Sequence, residues 1–135
     1  MKSRVNIFLI SLIAFCFFQC NSVTENKTAQ IKFEATEYDF GELELNADGN
    51  CSFDFSNSGE TPLVIQNVKT SCGCTVPQWP KKPIKPGKSG TVEIIYDTSH
   101  PGMFSKTVTV FYNGQDSPLS LTIKGSVLFP QNSES

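Results

Sequence analysis

The sequence predicts an all-β protein built as an antiparallel β-sandwich, and three observations support this. Apolar and polar residues alternate with a period of two in most segments after residue 30, as in strands with one buried face. Turn-forming Gly, Pro, Asn and Asp residues separate these segments at near-regular spacing. No segment after residue 20 has the apolar period of an amphipathic helix. About 7–8 short strands in one domain of this size indicate a sandwich of immunoglobulin type.

Each predicted strand is marked by alternate apolar residues and closed by a turn. Cys51, Phe53 and Phe55 share one strand face, which is expected to be buried. Asn113-Gly114 is a strong hairpin signal between the last two strands. In chain order the strands are marked by Ile31, Phe33 and Ala35; by Tyr38 to Gly41 and then Leu43 and Leu45; by Cys51, Phe53 and Phe55; by Leu63, Ile65 and Val68; by Val92, Ile94 and Tyr96; by residues 103–112; and by Leu119, Leu121, Ile123 and Val127.

The first 20 residues have the pattern of an export signal. Lys2 and Arg4 precede an apolar run over residues 5–18, which predicts a signal-peptide helix before the sandwich. This run is shorter than the ~20 apolar residues that span a membrane. Cys20 follows the run directly, as in a bacterial lipoprotein, and is the predicted lipidation site. An uncleaved anchor helix and plain secretory cleavage near Asn21 are the alternatives.

This interpretation divides the chain into four parts. Residues 1–19 are the lipoprotein-type signal peptide, and the polar residues 20–30 form a flexible tether. Residues 31–129 form the sandwich domain, and residues 130–135 form a tail. Two or more acyl chains on Cys20 would hold the protein stably on a membrane.

The charge balance argues against nucleic acid as a partner. The chain has 11 basic and 13 acidic residues, and loss of Lys2 and Arg4 with the signal leaves nine basic residues and a formal net charge of −4. Arg4 is the only arginine. Binding to a nucleic acid normally needs a basic surface that neutralises phosphates.

Three cysteines remain beyond Cys20: Cys51, Cys72 and Cys74. In an oxidising compartment they allow one disulfide and one odd thiol, or a reduced metal or redox site. Cys51 is expected to be the thiol neighbour of the stretch 72–74, and it can pair with Cys72 or with Cys74. A bond between Cys72 and Cys74 requires a bent backbone. Free cysteines that pack as small hydrophobic residues are the remaining alternative.

Cys72-Gly73-Cys74 is also a candidate metal or thiol-redox site. Soft thiolate pairs suit Cu(I), whereas zinc sites commonly separate two cysteines by two to four residues. A third ligand would be needed, and Cys51, His100 and Met103 are the candidates. Gly73 is expected to permit a tight or left-handed turn that aims both sulfurs the same way. The Cys-x-x-Cys pattern of typical redox proteins is missing.

Asp97, Ser99 and His100 suggest a catalytic triad by residue type only. Triads are assembled from separated parts of a fold around an oxyanion hole. A polar turn before Pro101 is therefore the favoured interpretation, and the protein is not expected to be an enzyme.

The proline-rich segment 77–90 is predicted to be a loop that carries Trp79 and a basic surface. Trp79 is expected to cap one end of the core, with an exposed aromatic contact for a partner or carbohydrate as the alternative. The basic residues are expected to be solvated, with weak contact to anionic headgroups or glycans as the alternative. They are Lys81, Lys82, Lys85 and Lys88.

Several motifs occur together in a recognisable order. They are Tyr38 to Glu42, Phe53 to Asn57, Pro62 to Ile65, Ser71 to Thr75, Ile84 to Gly90 and Phe104 to Lys106. Over about residues 31–128, the chain resembles the bacterial domain-of-unknown-function family 1573, and Ser-Cys-Gly-Cys-Thr is the most specific element. The resemblance implies an exported, often lipid-anchored protein with an immunoglobulin-like fold related to modules of cilia and centrosome proteins. It implies no established activity.

Two functions are expected from these observations. The first is a lipid-anchored, non-enzymatic binding or scaffolding module of the bacterial cell envelope, on the periplasmic face or the outer-membrane surface. Its partners would be the membrane and an envelope protein or glycan, and it needs no cofactor. Its sheet edges and the 77–90 loop would be the interaction surface. The alternative is a copper- or zinc-handling or thiol-redox protein that acts through Cys72 and Cys74.

Overall fold

The computed structural model describes residues 27–131, which form eight strands in two sheets of four. The predicted signal helix and Cys20 lie outside these residues. Within them, no helix is long and apolar enough to cross a bilayer. The strands are β1 (Ile31–Phe33), β2 (Glu37–Leu43), β3 (Asn50–Asn57), β4 (Ile65–Thr70), β5 (Thr75–Gln78), β6 (Ser89–Tyr96), β7 (Gly102–Tyr112) and β8 (Leu119–Val127).

The two sheets confirm the predicted sandwich, with one parallel pair among antiparallel neighbours. The first sheet has the order β1-β3-β6-β5 and the second has the order β2-β8-β7-β4. The chain leaves the first sheet after Phe33 and joins the second at Glu37, where β2 runs parallel to β8. This change of sheet explains the parallel pair, because β1 and β2 continue in one direction along different sheets.

The core lies between the inner faces of the two sheets. Cys51, Phe53 and Phe55 alternate with exposed residues and are 8%, 2% and 1% exposed, which confirms the predicted buried face. Across from them, fully buried Val108 and Ile123 come from the second sheet. Each fully buried side chain of this size stabilises the fold by ~1.5–3 kcal/mol. The whole described core comes from residues 29–127, so this part of the chain carries a core of its own.

The predicted loop 77–90 is shorter than the sequence indicated, because Ser89 and Gly90 already belong to β6. Pro77 and Gln78 belong to β5, which pairs with β6 from Thr75 to Gln78. A proline has no amide hydrogen to donate, so it is tolerated on a strand with only one neighbour. Because β5 is an edge strand, the proline did not prevent strand formation there.

The sandwich has two distinct ends. The chain enters at the end formed by residues 28–30, the turn 58–61, the segment 81–88 and the turn 113–116, which we call the tether end. The opposite end is formed by the turn 44–49, the loop 71–74 and the connection 97–101. At this far end, the Thr98 hydroxyl donates to Ala47 O at 2.6 Å, and the Asp97 amide donates to Cys74 O at 2.8 Å.

Candidate functional site

The loop at residues 71–74 carries a disulfide at the crossing between the sheets. The loop connects β4, at the edge of the second sheet, to β5, at the edge of the first. Cys72 and Cys74 are bonded to each other, with their Cα atoms 5.4 Å apart, which is ordinary disulfide spacing. Both are half-buried. The pairing left open by the sequence is therefore Cys72 with Cys74, because the chain bends here as it changes sheets.

Gly73 lies in a turn, as the sequence predicted, but without the left-handed conformation that was the other alternative. Its φ angle is not in the left-handed region, which among the described glycines is occupied by Gly41, Gly87 and Gly102. A Cβ atom added to Gly73 would meet no atom within 4 Å. The disulfide turn therefore does not require a glycine at this position.

Two threonines hold the disulfide loop. The hydroxyl of Thr70 donates to Cys72 O at 2.8 Å and reaches Thr75 O at 3.2 Å. Thr75 is buried, and its Oγ1 lies 3.7 Å from Cys72 Sγ. Sequence reasoning missed both residues, although strand-end threonines on either side of Ser71-Cys74 were visible as a signal, since such hydroxyls often bond nearby main-chain groups.

The expectation that Cys51 is the thiol partner of this loop is wrong, because Cys72 and Cys74 bond to each other and Cys51 lies on the inner face of β3. It is a free cysteine and only 8% exposed. Burial raises the pKa of its thiol from 9.0 to about 11. The thiolate is the form that attacks disulfides and binds metals, so Cys51 in this environment is protonated and inert at neutral pH.

His100 and Met103, the other candidate metal ligands, lie at the far end and are highly exposed. The His100 side chain is 85% exposed, and Met103 is 91% exposed. Within residues 27–131, no group of three or more His, Cys, Asp or Glu side chains is arranged to hold a metal ion. The structure thus brings Cys72 and Cys74 together without assembling Cys51 or His100 around them.

The turn at Asp97, Ser99 and His100 lacks the arrangement of a triad. Ser99 Oγ lies 3.0 Å from His100 Nδ1, and Asp97 Oδ2 lies 3.9 Å from the same nitrogen. In a triad the base uses its two ring nitrogens for the two different partners. Hydrogen bonds from Ser99 lower the pKa of the Asp97 carboxyl, which caps this turn by accepting the Ser99 amide at 2.9 Å.

Trp79 packs against the core, in agreement with its predicted capping role. Lys81 Nζ lies 3.1 Å from the centroid of its ring, a cation–π contact. The indole Nε1 is buried and has no hydrogen-bond partner among the described residues. This ring therefore packs on the core and contacts the first lysine of the segment 81–88.

An open edge on β3 is a second candidate site. β1 covers β3 only from Phe55 to Asn57, and the Glu34 amide extends this by donating to Asp54 O at 3.0 Å. Main-chain groups of successive strand residues point to alternate sides. Tyr96 N donates to Gly49 O at 2.9 Å, so the main-chain groups of the odd-numbered β3 residues point toward β6. The main-chain groups of Asn50 and Ser52 therefore point toward the uncovered side.

A surface cavity lies at this edge and gives it side-chain contacts. Its volume is about 410 Å³, and its walls include Tyr38, Ser52 and Ile95. Tyr38 and Ile95 are 39% and 41% exposed. The sequence did not reveal this site, because the place where β1 leaves the first sheet depends on tertiary structure.

Comparisons with known proteins support the fold and identify a family. No curated protein matches this sequence at a significant level. A protein of unknown function from Porphyromonas gingivalis W83 is 19% identical, with a TM-score of 0.67 over 81% of this chain and 51% of its own. This chain thus spans about half of that protein.

Two further structures share the architecture. The ASH/PapD-like domain 7 of human CEP192 is 9% identical, with a TM-score of 0.65 over 82% of this chain and 93% of its own. The YadV chaperone is 13% identical, with a TM-score of 0.52 over 75% of this chain and 53% of its own. At these identities the likeness shows the immunoglobulin-like fold alone.

The sequence itself matches one family model over nearly all of the described domain. The match covers residues 31–127, from the start of β1 to the end of β8, and includes the disulfide loop and the open edge of β3. The chain therefore belongs to the family described as protein of unknown function (DUF1573).

Proposed function

We propose that this protein is a lipid-anchored, non-enzymatic interaction module of the bacterial cell envelope, which binds an extended segment of a partner protein at the open edge of β3. The observation that carries the proposal is the uncovered stretch from Asn50 to Phe53 beside the cavity of about 410 Å³. Strand addition at a sheet edge uses main-chain hydrogen bonds for affinity and neighbouring side chains for specificity.

Two other sheet edges, those at β5 and β2, are less suited to strand addition. On β5, Pro77 provides no amide donor, and Thr75 O already accepts a hydrogen bond from Thr70. On β2, the register is interrupted between Asp39 and Glu42, where Gly41 has a φ of 65°. Prolines and bulges at edges discourage pairing with another chain. The Ser52 edge has neither a proline nor a bulge. Its Asn50 amide already donates to Asp48 Oδ1 at 3.0 Å, so the Ser52 amide is the donor that the edge offers to a partner strand.

The anchored location is supported by the N-terminal sequence. The sequence begins with positively charged residues, continues with an apolar run over residues 5–18, and then has Cys20. This is the order of a lipoprotein signal. Lipidation at Cys20 would place the domain on a membrane of the envelope, with the far end of the sandwich directed away from the anchor.

Two substitutions at Ser52 test the edge proposal with a matched control. Ser52→Pro removes an amide that points away from β6, while Ser52→Ala keeps it. A photo-crosslinker at Ile95 in cells of the source bacterium should give one discrete adduct in the wild type and in Ser52→Ala, and none in Ser52→Pro.

The crosslinked segment, made as a peptide, should then slow hydrogen exchange of the Ser52 amide. An adduct that persists in Ser52→Pro, or a peptide that leaves this amide unprotected, would overturn the edge proposal.

The anchor has its own test. The apolar run contains a second cysteine, Cys16, which provides the control. In an exporting bacterial host, a palmitate analogue should label the wild type and Cys16→Ala but not Cys20→Ala. Labelling that survives in Cys20→Ala would refute lipidation at this residue.

Thiol–disulfide exchange at Cys72 and Cys74 is a second candidate function, favoured by the partial exposure of their disulfide. A partner dithiol would attack one sulfur as a thiolate and form a mixed disulfide, and its second thiolate would then release the chain. Cys72 and Cys74 gain the two electrons and the partner is oxidised to a disulfide.

Equilibration with glutathione or dithiothreitol buffers, followed by alkylation, measures the reduction potential of this pair. A value between about −120 and −270 mV would place it among exchanging proteins. A value below about −300 mV is typical of structural disulfides and would exclude the exchange function.

A further inference from the structure

The place where the chain enters the domain is fixed by hydrogen bonds. Thr28 O accepts from the Glu60 amide at 3.1 Å, and Gln30 O accepts from the Ser58 amide at 2.8 Å. Ala29, which lies between them, is buried and forms an isolated β-bridge with Gly114. The residues before Thr28 therefore leave from the tether end.

The segment 81–88, which we call the lysine loop, lies at this same end. Its last turn is tied to the end of β3, since the Gly87 amide donates to Asn57 O at 2.8 Å and the Asn57 amide donates to Lys88 O at 2.9 Å. Its middle is tied at Ile84, which exchanges two hydrogen bonds of 2.8 Å with Leu63. These bonds present the lysines on a defined surface.

The charges of the domain are distributed unevenly between its two ends. The lysine loop carries Lys81, Lys82, Lys85 and Lys88, and the tether end has Glu60 and Asp116 as nearby acids. The far-end segments 44–49, 71–74 and 97–101 contain no lysine. Their acids are Glu44, Asp48 and Asp97. A protein with a net negative charge thus has a positive end at the point where its chain enters.

The four lysines are available to an external anion. All four are exposed, and none is in a salt bridge within residues 27–131. Lys81 also contacts the Trp79 ring, so Lys82, Lys85 and Lys88 are the loop lysines without such a contact among the described residues. Lysine is a flexible point charge that suits a diffuse anionic surface, whereas arginine provides the planar fork of a discrete carboxylate or phosphate site. The described domain has no arginine.

We propose that the lysine loop is the membrane-facing surface of the domain and binds the headgroups of anionic phospholipids. The inference rests on the proposed anchor at Cys20 for its position beside a membrane. A lipid surface is favoured over a glycan or an acidic protein because the loop lies at the end where the tether begins.

The length of the tether matches this role. Cys20 and Ala29 are nine residues apart, so the chain between them can span at most ~30 Å. The Debye length in physiological salt is ~8 Å. The attachment is therefore short enough for the loop to reach the lipid surface, and the lysines must come close to the headgroups because charges farther apart than this length are largely screened. This contact would direct the disulfide end outward.

Vesicle co-sedimentation tests the proposal without the lipid anchor. The chain from residue 21 onward keeps both sheets and the whole described core. Vesicles of phosphatidylcholine alone are compared with vesicles that also contain phosphatidylglycerol. One variant has Lys81, Lys82, Lys85 and Lys88 changed to Gln, and its matched control has Lys32, Lys69, Lys106 and Lys124 changed to Gln.

Binding to phosphatidylglycerol vesicles is expected for the wild type, with a steep decrease as salt is raised. Each lysine near an anionic surface contributes ~1 kcal/mol, so the loop variant should bind at least ~10-fold more weakly. The control has the same net charge and should retain most of the binding. Equal loss in the two variants would show that only net charge matters and would overturn the proposal.

Two other outcomes would also overturn it: undiminished vesicle binding by the loop variant, and binding to an anionic glycan with none to vesicles. The test is independent of Cys20, because the chain used carries no lipid. A failed anchor would therefore appear in the palmitate experiment, and a failed lysine loop in the vesicle experiment.

Discussion

The side-chain amide of Asn57 donates a hydrogen bond to Ile84 O at 2.9 Å, which joins the end of β3 to the lysine loop. The same nitrogen donates to Thr61 O at 2.8 Å, and Oδ1 accepts from the Gly59 amide at 3.0 Å. Asn57 is only 1% exposed. One buried side chain thus fixes both the turn after β3 and the surface that we propose faces the membrane.

Asn57→Ala should destabilise the domain by about 2–4 kcal/mol. The change leaves Thr61 O without this donor and the Gly59 amide without its acceptor, while Ile84 O keeps the Leu63 amide. Each unsatisfied buried group costs ~1–3 kcal/mol. Urea unfolding measures the effect. Asn57→Asp keeps the acceptor for Gly59 but loses both donations, so a similar loss is expected.

Asn67→Ala provides the control, because Asn67 is exposed on β4. Its free energy of unfolding should stay within ~0.5 kcal/mol of the wild type. An Asn57→Ala protein as stable as this control would show that water or relaxation replaces the buried amide.

Removing the disulfide in a double variant, Cys72→Ser with Cys74→Ser, should lower the free energy of unfolding by only about 1–2 kcal/mol. The bond closes a loop of sequence separation 2, and such short loops restrict the unfolded chain little. Unfolding of the wild type with and without reductant should differ by the same amount, and reductant should not affect the double variant. Loss of the folded state in that variant would mean that the pair contributes more than loop closure.

The sequence predicted the sandwich well because its alternating pattern directly reports which side chains face the core. Cys51, Phe53 and Phe55 are the clearest case. Features that depend on which strand lies beside another were not predictable in this way. Pro77 suggested a loop, but it is accommodated because β5 has only one neighbour.

The candidate sites also depend on which strands lie beside each other, which the sequence pattern does not show. Cysteine counting correctly allowed one disulfide and one odd thiol, but the pairing depended on the bend between β4 and β5. The open edge at Ser52 exists because β1 changes sheets after Phe33. Alternation gives the direction of a side chain, and it does not show whether the main chain has a neighbour on each side.

Gly73→Ala should leave both the fold and the disulfide unchanged, despite its position in the most specific motif of the chain. The added methyl group would meet no atom within 4 Å, and φ is not left-handed. Its free energy of unfolding should remain within ~0.5 kcal/mol of the wild type.

Gly49→Ala is the matched comparison, since its Cβ would collide with the main-chain carbonyl of Tyr96. Forcing this contact should cost about 1–3 kcal/mol. Thermal unfolding and thiol counting measure both variants. A Gly73→Ala protein that is the more destabilised of the two would show that the motif glycine is needed for the turn.

The stability of the domain should decrease in alkali partly through Cys51. Burial raises the pKa of this thiol from 9.0 to about 11, so the unfolded chain releases the proton first as pH rises. The Cys51 thiol's contribution to the free energy of unfolding is fully present below about pH 9 and is lost as pH rises toward 11. Its full value is at most ~3 kcal/mol. The pKa values of Tyr96 and Tyr112 are also raised by burial, so they act in the same direction.

Cys51→Ala isolates the thiol from these tyrosines. The stability advantage of the wild type over this variant should be constant up to about pH 8 and should then shrink by ~2–3 kcal/mol by about pH 11. Urea unfolding across this range measures the difference. Parallel curves for the two proteins would mean that the Cys51 thiol ionises as easily in the folded domain as in the unfolded chain.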